Sequence, residues 1–498
     1  MEFVALLMGI ALLSWAFFFV KFHNIPTGAI IFIVATSVFP PEYLSFRFPG
    51  ITLTLDRIWL GAIAVQFMVD WLSGRIKFRS LRGTDLLLMT FMMWLFVRTI
   101  TTPIGQEIKG QPSTTMHLIN GYMCPMFLYM LIRHVDLKLE MLWPAIGILT
   151  LFGIYLSVTA VLEVSKQWSF VFPPFIGDPT LGIHFGRARG PMLQSVRLGM
   201  CLNFALAALW TFPLWLNYRT KWAWILVLSL TPLFLLAILL TYTRSIWMGT
   251  GAIVVILMLT LLKGKSRTLA VGGLLVATIM AGLIIGPNLV AFKREYTEAE
   301  TLESTRMRGA FAYVSYKMFL DKPLMGFGFN QFQVHNRPYL DDRTTNIRLE
   351  SIRGYVHHNS YLSLLVDLGL IGGVLFLAAS AAIARTAWTL WSHPLSSPFY
   401  RSAAVLFFCV AAVHAIQMAF HEVSFSSIEY AILIFVAAIC QVCKDELVEE
   451  TEKYSELDPS NQLIKNPRYH FEDDSREIFP LPVYGTQIPT QVTARPQL

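Results

Sequence analysis

Apolar runs of about 20 residues recur through the first 443 positions of this 498-residue chain, and they leave little choice of architecture. A run of that length crosses the hydrocarbon core of a bilayer as one helix, because the helix satisfies every backbone N–H and C=O internally. The composition agrees, with 55% hydrophobic and only 14% charged residues, where a soluble globular chain carries roughly a quarter charged residues. A β-barrel would alternate in polarity over strands of about ten residues, and none of these runs alternates. The expected fold is an all-α polytopic membrane protein with twelve or thirteen transmembrane helices. The spans fall near residues 3–20, 28–44, 57–73, 84–100, 115–133, 142–163, 196–216, 221–241, 245–262, 268–287, 369–387, 402–420 and 427–443. Pro40 and Pro41 interrupt the second run, which either crosses or re-enters, and this sets the two totals. The first run lacks a basic leader and a small-residue cleavage site, so it reads as a retained span.

Short basic loops orient the chain. Arg75, Lys77, Arg79 and Arg82 follow the third span, Arg219 and Lys221 the seventh, and Lys263, Lys265 and Arg267 the ninth. These loops share one parity, and the positive-inside rule puts them in the cytoplasm together with everything after Cys443. They also account for much of the net charge of +7 without any nucleic-acid partner. The five cysteines lie in or beside apolar runs and form no disulfide framework; Cys440 and Cys443 read as buried thiols at a helix end. Residues 1–443 form the membrane domain. The segment from Lys444 to Leu498 is charged, then Pro-rich, and too poor in apolar residues for a core, so a disordered cytoplasmic tail is expected.

Arginine appears on the opposite face, where topology does not favour it. Arg187, Arg189 and Arg197 lie in HFGRARGPMLQSVRLGM (184–200), and Arg244 lies in the tight turn TYTRS. The long polar interruption from Asn288 carries ESTRMRGAFAYVSYKMFLDKPLMGFGFNQF (303–332) and ends in HHNSYLSLLVDLGLIGG (357–373). Three arginine-bearing segments on one face point to a shared anionic ligand, for which the planar guanidinium fork is suited. Ser304 or Thr305 is expected to cap a short helix from Arg306 to Asp321, with Phe311, Val314 and Met318 turned toward the bilayer. Gly326 and Gly328 mark a close-approach turn. Asn359 and Ser360 are capping types, so His358 stands at the N-terminal end of a helix, where the dipole and nearby arginines favour a neutral imidazole able to accept a proton.

Together R-A-x-G at 187–190, T-R-S-x-W at 243–247, Arg308 with the downstream P-L-M-G-F-G, and H-N-S-Y-L-x-L-L-x-D-x-G-L-x-G from His358 resemble the O-antigen ligase/O-antigen polymerase family of bacterial envelope enzymes. The likeness covers residues from about 180 to 375. It implies a membrane-embedded glycosyltransferase of GT-C type, in the inner membrane, that moves a glycan from an undecaprenyl-diphosphate carrier to an acceptor hydroxyl at the periplasmic face. The resemblance implies that Arg244 and Arg308 engage the diphosphate, with Arg187 as a looser match, and that His358 is the catalytic histidine. The adjacent His357 leaves the register open by one residue. Asn359, Gly326 and Gly328 would support the site.

No Asp or Glu is placed as an obvious covalent nucleophile, and Asp341-Asp342 lacks the D-x-D spacing of a metal-bridged diphosphate, so a single inverting displacement without metal or other cofactor is expected. The expected partners are the lipid-linked glycan donor, a glycan or glycolipid acceptor, and membrane lipid. The tail is the one feature that suggests further polysaccharide-assembly partners. A carrier or flippase for lipid-linked glycans or other anions is the competing class. It would place its charges at mid-membrane, whereas here they gather at one face.

Overall fold

The computed structural model describes residues 24–39, 45–48, 51–102, 113–215, 221–284, 298–424 and 427–457. The chain divides into two compact units after Glu449, and the elements that build the site belong to the first. Its described helices are α1 (Ile25–Val38), α2 (Leu55–Leu72), α3 (Gly83–Ile100), α4 (Thr114–Leu118), α5 (Cys124–Arg133), α6 (Leu139–Val164), α7 (Ser195–Trp215), α8 (Lys221–Leu240), α9 (Arg244–Leu261), α10 (Gly264–Ile284), α11 (Glu298–Asp321), α12 (Phe332–His335), α13 (Arg337–Leu340), α14 (Ser360–Ser392), α15 (Pro398–Phe420) and α16 (Ser427–Leu457). The protein is an all-α polytopic membrane protein. Every expected span from the second onward coincides with a helix, or with the α4–α5 pair; the first, at 3–20, lies outside the described residues. Seven of the described helices are long and apolar enough to cross a membrane. One small β-hairpin interrupts the pattern, Ser45–Phe48 paired antiparallel with Ile51–Thr54.

Helices α7 and α15 form the interior. Their buried faces are crowded with small residues, Ala205, Ala207 and Ala208 on one and Ala403 and Ala404 on the other, all without accessible surface. Small side chains let membrane helices approach closely, where van der Waals packing and interhelical hydrogen bonds replace the hydrophobic drive available in water. A Cβ on Gly199 of α7 would lie 2.6 Å from Ile246 of α9, so only glycine admits that crossing. Beside it the buried Asn203 donates to the Ile246 carbonyl at 3.0 Å and accepts from Thr250 Oγ1 at 2.7 Å, fixing the start of α9 against α7.

At the end of the bundle carrying the basic loop after α2, Arg133 is fully buried, 3.2 Å from Asp85 and 2.5 Å from Asp445. Arg79 of that loop reaches Glu446 at 3.1 Å. The loop and the end of α16 therefore share one end of the bundle, as their common parity requires. Of the expected tail, residues 444–457 continue α16, and 458–498 lie outside the described residues.

The segment between α10 and α14 has a core of its own. Phe311, Val314 and Met318 are buried with Phe332, Leu340, Leu349, Ile352 and Val366. The apolar stripe of α11 thus packs on the short helices of its own loop and not on the bilayer as expected; the exposed stripe is Tyr316 and Leu320. Helix α11 also begins at Glu298 instead of Arg306, because the Glu-, Ala- and Leu-rich run before Ser304 is itself helix-forming. Ser304 and Thr305 therefore lie within the helix and not at its start.

Candidate active site

The turn after α15 is where the parts of the site meet. Gln417 donates to the Ser245 carbonyl at 2.8 Å, and His421 Nε2 lies 3.2 Å from Ser245 Oγ, so the first turn of α9 is held against the end of α15. Asn359 donates its amide to the Ala419 carbonyl at 2.9 Å, Ser360 Oγ reaches the His421 carbonyl at 2.9 Å, and Tyr361 OH reaches the Ala415 carbonyl at 3.1 Å. The start of α14 is thereby tied to the same turn. Two helix N-termini converge there, and each presents the positive end of its dipole. That of α14 is capped as expected, with Asn359 Oδ1 accepting from Leu362 N–H at 3.0 Å. That of α9 has no side-chain cap, since Thr243 Oγ1 turns to the Thr241 carbonyl at 2.9 Å.

Arg244 opens α9 and is exposed. Arg308 comes from α11, its Cζ 5.5 Å from the centroid of the Phe420 ring that ends α15. Burial lowers the pKa of Arg308, and so does the charge of Arg244, which brings the two guanidinium groups within electrostatic reach of each other. Among the described residues no carboxylate pairs with either. Two cations near each other without a carboxylate partner among the described residues suit an anionic guest, which would relieve their repulsion.

The histidine pair divides into two roles. His357 is buried: its Nδ1 accepts from Asn359 N–H at 3.0 Å, which leaves Nε2 to carry the proton and donate to Ser315 Oγ at 2.6 Å. Burial, then the neighbouring His358, push its pKa down to about 3. Both nitrogens are engaged, so His357 is a neutral strut between α11 and α14. His358 is exposed, stands edge-on to Phe311 at 5.2 Å between ring centroids, and makes no hydrogen bond among the described residues. Burial of part of the ring, then the charge of Arg308, lower its pKa. The neutral form of the imidazole is therefore favoured, and its nitrogens have no hydrogen-bond partner among the described residues. This geometry favours His358 over His357 for proton transfer.

Gly326 and Gly328 act at a distance from that chemistry. Phe327 N–H donates to the Val366 carbonyl at 2.9 Å, Gly328 N–H to Asp367 at 2.8 Å, and Leu370 N–H to Pro323 at 2.7 Å, so P-L-M-G-F-G zips against a kink in α14 at Gly369. Gly326 has φ +68°, and a Cβ there would lie 2.5 Å from the Asp367 carbonyl. The Asp367 carboxylate accepts from Asn330 N–H at 2.8 Å and closes the junction. These two motifs hold the loop on the bundle and thereby fix where α11 presents Arg308.

The remaining arginines separate. Arg189 has no accessible surface, donates to the carbonyls of Ile176 (2.9 Å), Asp178 (2.6 Å) and Leu181, and lies 3.5 Å from Glu163. Arg197 pairs with Glu429 at 3.1 Å. Neither is available to an external phosphate, because desolvation was offset by partners within the fold. Arg187 is half-buried, and its neighbour Ala188 donates to the Leu240 carbonyl at 3.0 Å, which sets the segment beside the α8–α9 turn four residues before Arg244. Asp342 is held by Thr344 Oγ1 (2.6 Å), Thr344 N–H (2.8 Å) and Tyr313 OH (2.8 Å), which lower its pKa to about 2.

Sequence reasoning passed over the turn itself. Gln417, Phe420 and His421 end an apolar span, where polar side chains read as interfacial anchors, and only the cluster Q-x-x-F-H-E at one helix end stood as a signal. With this geometry in view, residues 231–377 match the family model described as O-antigen ligase. Over this stretch the chain is similar to the O-antigen ligase family. The matched region contains Arg244, Arg308, Gly326, Gly328, His358 and Asn359, and it leaves Arg187 and the α15 turn outside. That similarity supports glycan transfer of the ligase and polymerase kind, and it implies lipid-linked glycan substrates in general. No curated protein matches the chain.

Proposed function

We propose that the protein transfers a glycan from an undecaprenyl-diphosphate carrier to a sugar hydroxyl at the periplasmic face of the inner membrane. The observation that carries this reading is the meeting of Arg244, Arg308 and a free His358 at one turn, from positions far apart in sequence and without a carboxylate partner among the described residues. The acceptor oxygen attacks the anomeric carbon as the bond from that carbon to the diphosphate breaks. The bonding pair leaves with the diphosphate, and the acceptor's proton passes to His358. Negative charge grows on the leaving group, so Arg244 and Arg308 hold the transition state more tightly than the ground state, with Arg187 a third contact from the neighbouring turn. One displacement inverts the anomeric centre. Charge neutralisation comes from guanidinium groups, and the reaction is metal-independent.

The test is reconstitution of the purified full-length chain with a polyprenyl-diphosphate glycan and a set of acceptors, comparing wild type with Arg244→Ala, Arg308→Ala and His358→Ala. The expected result is transfer with inversion, unaffected by chelator and lost in each variant. A lipid-anchored core sugar as the preferred acceptor identifies a ligase, and another carrier-linked glycan a polymerase. Translocation of labelled donor with its linkage intact overturns the assignment, as does dependence on a divalent cation for the metal-free step.

A further inference from the structure

Below the α15 turn lies an apolar groove of about 300 Å³, walled by α3, the start of α5, α14, α15 and α16. Its lining is almost wholly hydrocarbon and aromatic. On one side Leu377, Ser380 and Ala384, a single stripe of α14, line it and remain exposed, so the groove opens laterally onto the lipid-facing surface of the bundle. On the opposite wall stands His414. It is 2% exposed, packs edge-on against Tyr430 at 4.5 Å, and neither ring nitrogen has a hydrogen-bond partner. An imidazole buried in an apolar wall with both nitrogens unmet is costly, and native structures almost always satisfy such a group. The groove supplies no protein partner, so the partner belongs to whatever fills it.

Depth identifies the guest. His414 precedes Phe420 by six residues on one helix, about 9 Å along the axis. Phe420 ends the span and carries Arg308 on its face, so it marks the interfacial zone, which is about 5–8 Å thick in each leaflet. His414 thus lies at the inner edge of that zone, the depth of the ester carbonyls of a glycerolipid. An isoprenoid chain has no acceptor there. We propose that the groove is a binding site for one acyl chain of a bilayer glycerolipid, entering between the exposed residues of α14, with its ester carbonyl accepting a hydrogen bond from His414. The site is independent of the glycan-transfer reading, and its occupant need not take part in the reaction.

The test uses the full chain purified in mild detergent, with bound lipid extracted and identified by mass spectrometry and with affinity measured by thermal shift. The probes are ester-linked phosphatidylglycerol, its ether-linked analogue and a polyprenyl phosphate. Wild type is expected to retain ester lipid and to bind it about tenfold more tightly than the ether analogue, the effect of one hydrogen bond. His414→Leu should bind the two equally, and Ala411→Phe, which fills the groove, should release both. Equal affinity of wild type for ester and ether lipids overturns the proposal, and so does a preference for polyprenyl phosphate. The wild-type comparison stands even if a variant fails to fold.

Discussion

Substituting the two adjacent histidines should produce opposite failures, and that contrast tests the division of roles most directly. His357→Leu removes one donor, to Ser315 Oγ at 2.6 Å, and one acceptor, for Asn359 N–H at 3.0 Å. Each lost bond is worth about 1–1.5 kcal/mol, and both orphaned partners stay inside, so the cost is about 2–3 kcal/mol of stability. The strut does not touch the reacting atoms, so turnover per folded molecule should stay within a few-fold of wild type. His358→Ala removes a ring that makes no hydrogen bond, so stability should change little. Loss of a general base should slow transfer by about 10²–10⁴-fold. The assay pairs thermal unfolding in detergent with transfer from a synthetic polyprenyl-diphosphate glycan, normalised to folded protein by size exclusion. The reasoning fails if His358→Ala keeps more than a tenth of wild-type turnover, or if folded His357→Leu loses as much as His358→Ala does.

Three further outcomes follow from the same geometry. Because burial and then Arg308 hold the pKa of His358 below its ordinary 6.5, kcat/KM should fall on the acid side below that pH, and Arg308→Gln should move the limb to higher pH; a limb that stays put in a pH-rate profile removes Arg308 as a cause. His357 has a folded-state pKa of about 3 against about 6.5 unfolded, so between these values the unfolded chain binds the extra proton and stability falls by about 1.4 kcal/mol per unit as pH drops; unfolding midpoints across pH 4–7 should show wild type steeper than His357→Asn by that amount. Arg133→Met strands the buried carboxylates of Asp85 and Asp445 and should cost about 3–5 kcal/mol, with partial recovery in unfolding assays when both are also changed to Asn; an unchanged midpoint would show that the network is neutral.

Most of the fold could be read from hydropathy because a bilayer forces one solution on a long apolar run. Each expected span from the second onward overlaps a helix, or the α4–α5 pair, but some ends were missed widely: the helix at 369–387 starts at Ser360, and the one at 427–443 runs on to Leu457. The polar segment was less legible. The 3.6-residue spacing of Phe311, Val314 and Met318 marked a buried face, but spacing alone cannot say whether that face meets lipid or protein, and here it meets Phe332 and Ile352. Arginine is ambiguous for a similar reason. Arg189 and Arg244 look alike in sequence, each next to a turn, and only the fold supplies Glu163 and three carbonyls to the first and no carboxylate, among the described residues, to the second. The cap at Asn359 was readable because its partner lies three residues along the same chain.

Residues 231–377 carry both arginines and the histidine, and within that stretch the His357–Ser315 bond joins α11 to α14, but the first turn of α9 is tied to them only from outside it. The turn that carries the α9 arginine is held through Ser245 by Gln417 and His421, the α11 arginine rests on Phe420, and the cap before α14 is tied to Ala419, all from the end of α15. The charge cluster therefore depends also on a turn outside the matched region, and its geometry depends on how α15 is seated against α7 and α9. Close approaches at glycines set this packing, with Gly199 of α7 beside Ile246 of α9 and Gly249 of α9 beside Val413 of α15. A methyl group added at Gly249 would lie 3.0 Å from Asn203 Nδ2 and at ordinary contact, 3.4 Å, from Val413, so Asn203, which fixes the start of α9 against α7, must give by a few tenths of an ångström. Reacting groups must be held to about that tolerance. A perturbation buried well away from the proposed diphosphate site would then act on transfer through the position of the first turn of α9, and the proposed anion site and the helix packing form one mechanical unit.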